Sequence, residues 1–147
     1  MGTTSNKLNK KLCMSLTWSC LFFILAASAH AGTYYVSPNG VANWTQAVNI
    51  NTPCSVVTAM TNAKAGDIVY FRGGTYIAGQ SNNNSNLGYW NPTNSGTASN
   101  PIIFMAYPEE TPIMDAYVSG SSTDYVSRAL GNGHKNYIIF DGFTLRG

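Results

Sequence analysis

The sequence predicts an all-β solenoid of stacked coils, opened by one short amphipathic helix. Three observations predict it. Short apolar runs recur in AGDIVYFRGGTY (65–76), NSGTASNPIIFMAYPEETPIMD (94–115) and NYIIFDGFTLRG (136–147), at intervals of roughly 20 to 35 residues, as coil repeats do. Each run is tied off by Gly or Pro, which end strands and turn the chain. A helical pattern occurs once, ahead of all three, where a solenoid needs a cap. The repeats begin only shortly before Gly147, so the expectation is the opening portion of a longer, truncated stack, because each coil buries its faces against its neighbours.

Residues 1–31 stand outside the fold. Lys7, Lys10 and Lys11 form a basic segment, Leu12 to Ala27 is mostly apolar, and Ala29-His30-Ala31 puts small residues where a signal peptidase reads. Residues 1–31 therefore read as a signal peptide cleaved before Gly32, and 32–147 as one domain. The apolar run is short for a membrane span and holds Ser15, Thr17 and Ser19, so no membrane segment is expected after cleavage and the protein is expected to be secreted or periplasmic.

Cleavage changes the charge reading. The formal charge of +2 belongs to the leader, since without Lys7, Lys10 and Lys11 five cations face six acids. That balance leaves no argument for nucleic acid or an anionic membrane as a partner, and neither is expected. Cys13 and Cys20 leave with the leader, and Cys54 alone cannot make an internal disulfide or a zinc site. Asn43-Trp44-Thr45 and Asn83-Asn84-Ser85 fit glycosylation sequons, which have meaning only in a eukaryotic secretory pathway.

Thr33 to Ser37 is a β-rich run ended by Pro38-Asn39-Gly40, a turn signal. The helix follows an indistinct stretch: Thr52 suits the cap, Pro53 the first helical position and Gly66 the residue past the end, with Val56, Val57, Met60 and Ala63 as its apolar face. Asp67 to Arg72 is a strand with apolar groups on both sides, which predicts burial on both faces. Gly73-Gly74 turns into Thr75-Tyr76-Ile77. Residues 80–100 read as a long polar surface loop carrying Tyr89-Trp90. Pro101 to Tyr107 is a second buried strand and Pro112 to Asp115 a third. Tyr125 to Leu130 is a weak candidate, and Asn136 to Phe140 and Phe143 to Arg146 flank the Asp141-Gly142 corner.

In TYYVSPNG, the helix ending in AKAGD, IVYFRGGTY, NSGTASNPIIFMAYPEETPIMD and YIIFDGFTLRG, residues 32–147 resemble the N-terminal portion of pectin-lyase-like right-handed parallel β-helix proteins. They are most similar to secreted polysaccharide lyases of the family 9 pectate lyase type, with chondroitinase B and alginate lyases as cousins. The resemblance implies an N-terminal cap and first coils of a parallel β-helix, from a monomeric protein acting by β-elimination on a uronate polymer such as pectate. Its machinery, calcium held by clustered aspartates and a Lys or Arg base, lies on later coils. No residue here matches that machinery, so catalytic and metal residues are expected to be absent, calcium belongs only to the full-length parent, and this chain alone is expected to be inactive.

The residues themselves agree. Asp67, Asp115, Asp124 and Asp141 are scattered, whereas calcium wants converging oxygens. Asp67 and Asp141 read as turn or capping residues, Glu109-Glu110 as a solvated corner, and His134-Lys135 as plain surface. The candidate contacts to an acidic polysaccharide are Trp44, Tyr89 and Trp90, by stacking on sugar rings, and Arg72, by charge. The competing class is a non-catalytic surface or glycan-binding solenoid resting on those same aromatics.

Overall fold

In the computed structural model, residues 31–77, 90–116 and 130–146 are described. The elements are β1 (Thr33–Val36), α1 (Val56–Asn62), β2 (Ile68–Phe71), β3 (Gly74–Ile77), β4 (Ile102–Ala106), β5 (Pro112–Asp115), β6 (Ile138–Asp141) and β7 (Thr144–Arg146). They make two parallel sheets, β1-β2-β4-β6 and β3-β5-β7. Each sheet takes one strand from each successive coil, which is the parallel β-helix the sequence predicts.

The register lines up equivalent residues of successive coils. Val69 pairs with Phe104 and Phe104 with Phe140; Tyr76 pairs with Met114 and Met114 with Leu145. In the first two coils these side chains point inward and are buried: Val69, Phe71, Phe104 and Met114 have no exposed surface. Aromatic packing ties the layers together, with Phe104 stacked on Phe140 at 5.4 Å and Phe143 edge-on to Phe71 at 5.0 Å. On the last strands the same rows are open, and Leu145 is 66% exposed.

Helix α1 covers the other end. Ser55, not Thr52, is its cap: the Ser55 hydroxyl accepts from the Thr58 N–H at 3.1 Å. The helix starts later than expected because Cys54 is committed to β-type pairing. Its N–H donates to Tyr35 O at 3.0 Å and its carbonyl accepts from the Ser37 N–H at 3.2 Å. Thr52 instead donates its hydroxyl to Gln46 O at 2.7 Å. Val56, Ala59, Met60 and Ala63 are buried and Val57 packs against them, close to the expected face. The helix ends at Asn62 with Ala63 as its cap, earlier than expected, so Gly66, in the left-handed region at φ 92°, belongs to the turn before β2 and not to the helix end.

Two expectations about burial need correction. Strand β2 buries only Val69 and Phe71; Ile68 and Tyr70 lie on the outer face and are half-buried by their cross-strand neighbours. The described part of the long loop does not lie on the surface throughout. Trp90 and Pro92 are fully buried, the Thr93 N–H donates to Met60 O at 2.8 Å, and Asn94 Nδ2 donates to Ala63 O at 2.9 Å. Thr93 and Asn94 thus satisfy carbonyls at the end of α1 that no helical partner reaches. The weak strand candidate 125–130 lies outside the described residues except for Leu130, which bridges Trp90 in parallel.

Candidate functional site

The carboxylates come first, because acid–base or metal chemistry depends on what they are free to do. Asp67 is 3% exposed and accepts from the Gly32 N–H at 2.9 Å and the Lys64 N–H at 2.8 Å. It is the turn and capping residue the sequence predicts. Asp115 on β5 is gripped by Arg146 on β7, with Nε at 3.1 Å. Glu109 sits in the corner after β4 at φ 65°, exposed. His134 is likewise an exposed turn residue, at φ 59°.

Glu110 is bound to Arg72. Arg72 Nε lies 2.9 Å from both carboxylate oxygens and Nη2 lies 2.7 Å from Oε1. The Gly73 N–H donates to the same carboxylate. The Arg72 hydrogen bond, with help from Gly73, holds the Glu110 carboxyl below the usual carboxylate range, and Glu110 in turn raises the guanidinium.

Among the described residues no three His, Cys, Asp or Glu side chains group to hold a metal ion. Their donor sets do not fit calcium, which takes six to eight oxygens: Asp67 is spent on backbone N–H groups, and Asp115 and Glu110 on guanidinium groups. No catalytic step is therefore assigned to these residues.

The four sugar-contact candidates are separated by the fold. Trp44 stacks on Tyr34 at 3.7 Å and 17°, half-buried beside the core. Trp90 is 1% exposed and belongs to the core, so in this structure it packs under the chain instead of presenting a face to a sugar. The apolar interior takes it because its loop returns to close α1. Tyr89 lies outside the described residues. Arg72 stays near the surface, with its guanidinium 5.0 Å over the ring of Tyr107.

That last contact leads to a group the sequence reading missed. Tyr35 and Tyr70 pair in register across β1 and β2, and their rings stack at 6.0 Å. Tyr107, whose N–H donates to Phe71 O at 2.8 Å, continues the ladder beyond β4. Its ring is 5.7 Å from Tyr70 and 6.1 Å from Tyr35. All three are half-buried on the outer face of the four-stranded sheet. Alternation along DIVYFR and PIIFMAY puts Tyr70 with Arg72, and Met105 with Tyr107, on one side of each strand. What alternation alone cannot supply is the register that brings the strands' tyrosines together.

Cys54 is fully buried. Burial pushes its thiol up to about 11, which makes it a small core residue and not a nucleophile.

Against known proteins, residues 34–147 match the family model described as Pel9A-like, right handed beta helix region. The pectate lyase PEL9 of Emericella nidulans is 38% identical over 96 residues, which are 65% of this chain and 21% of that protein. The chain thus spans about a fifth of the length of that relative. No solved structure matches. The family match over residues 34–147, the parallel coils stacked in register and the helical cap together place this chain in the Pel9A-like right-handed β-helix family.

Proposed function

We propose that this chain is the cap and opening coils of an exported polysaccharide lyase that cleaves a uronate polymer such as pectate by β-elimination. The observation that carries the reading is the 38% identity to a pectate lyase over 96 residues, alongside the family match over residues 34–147. β-Elimination at a uronate requires the carboxylate to be neutralised and the C5 proton to be taken by a base. Among the described residues Arg72 is paired with Glu110, Arg146 with Asp115, and Asp67 caps backbone N–H groups, which supports a chain that binds and stacks but does not itself turn substrate over. Export is supported by the basic and apolar leader of residues 1–31. Among the described residues no helix is long and apolar enough to cross a membrane.

The test is an assay of unsaturated uronate ends released from polygalacturonate, run on the natural secreted polypeptide and on the isolated 32–147 segment. Release by the former and none by the latter is expected. A natural polypeptide inactive on every uronate polymer would overturn the lyase reading, and an active isolated segment would overturn the assignment of the machinery to other coils.

A further inference from the structure

We propose that the outer face formed by Tyr35, Tyr70 and Tyr107, with Arg72 at its edge, is a glycan-binding platform that holds pyranose rings by stacking. The inference rests on the reading that the ligand is a polysaccharide, and it names where these opening coils touch it.

Tyrosines placed only to fill space bury their hydroxyls against a partner. Tyr76 does so: it is 3% exposed and its hydroxyl donates to Arg72 O at 2.8 Å, with Val36 O at 3.2 Å. The three outer tyrosines differ. They stay half-buried at the surface, and among the described residues their hydroxyls make no hydrogen bond to the protein. Their rings form one contiguous cluster, every pair 5.7 to 6.1 Å apart. Because Tyr35 and Tyr70 stand on hydrogen-bonded strands, the cluster is rigid before any ligand arrives, so little entropy is lost on binding. A sugar ring offers such a surface one C–H face and a rim of hydroxyls. Aromatic rings with polar tips match both.

Arg72 supplies the polar edge. Glu110 occupies its Nε and Nη2, which leaves the two Nη1 donors for ligand oxygens, and the guanidinium is fixed over Tyr107. The charges facing this surface decide the mode of recognition. Arg72 and Glu110 cancel, and Asp141, the next residue along the outer row after Met105, is acidic. The platform therefore has no net positive field to attract carboxylates. It selects a neutral or esterified sugar ring as readily as a free uronate, and its binding is insensitive to salt.

The full chain should accordingly bind polygalacturonate and highly methyl-esterified pectin with similar affinity in affinity electrophoresis, at low and at moderate salt. Tyr70→Leu and Tyr107→Leu should each weaken both about tenfold, and Tyr70→Phe should retain binding because it keeps the ring. Leucine variants that melt like the parent yet bind like it would overturn the proposal. So would binding that vanishes on esterification or in salt. A concentration-dependent dimer abolished by Tyr70→Leu would assign the face to a second copy of the chain and overturn it too. Lyase activity with an unaffected Leu variant refutes only the platform, whereas platform binding without lyase activity in the natural protein refutes only the proposed reaction.

Discussion

Arg72 and Glu110, 38 residues apart in the chain, clamp the turn after β2 to the corner after β4. The pair does for the turns what the strand ladder does for the strands: it fixes one coil over the next. Its carboxylate also takes the Gly73 N–H, so the interaction has the charge-assisted, multiple-bond geometry that makes a surface pair worth something.

Glu110→Gln should lower stability by about 1 kcal/mol at neutral pH. The pH dependence has a definite sign. The Glu110 carboxyl is depressed in the folded chain, so its contribution is present above the unfolded value of about 4.3 and lost as pH falls through the folded value. Thermal melts from pH 7 down to pH 3 should show the parent losing stability below about pH 4, and the difference from Glu110→Gln shrinking over the same interval.

Asp67 predicts an effect of processing. It accepts from Gly32 N at 2.9 Å, and Gly32 is the residue that follows the expected cleavage. A free ammonium at Gly32 would turn that bond into an ion pair with a carboxylate that is 3% exposed. A chain beginning at Gly32 should be more stable than one acetylated there, by about 1 kcal/mol. Asp67→Ala should cost either form about 2–3 kcal/mol and erase the difference. Denaturant melts of the four proteins check this.

Gly40→Ala should destabilise by at least about 2 kcal/mol. A Cβ there would clash with the backbone oxygen of Cys54, and that oxygen is held by the Ser37 N–H. Neither atom can retreat without opening the cap, and a lowered midpoint in urea is the expected readout.

Cys54 should not react with a disulfide reagent at pH 8 in the native chain, and should react fully once the chain is unfolded. Its thiol is fully buried and lies at about 11, so both access and thiolate are withheld.

The solenoid could be read before the structure because its signals are local. Gly- and Pro-bounded runs mark each corner, and VVTAM at helical spacing marks the cap. Asp67 could be read as a capping residue for the same reason. The helix start could not, because Thr52 and Ser55 are equally good caps and the choice was made by Cys54, whose backbone pairs with Tyr35 and Ser37. Nor could the fate of Trp90. Its neighbours are polar, and only the return of residues 91–94 to the end of α1 draws it into the core. The tyrosine cluster was hidden for a third reason. Its members are 35 and 37 residues apart in sequence, and only the parallel register makes them neighbours.

The intact mass of the natural secreted polypeptide tests the central claim most directly. The account predicts a chain beginning at Gly32 with a mass well above that of residues 32–147, since the match spans about a fifth of the length of the pectate lyase it resembles. A secreted product with the mass of residues 32–147 alone would contradict the lyase assignment.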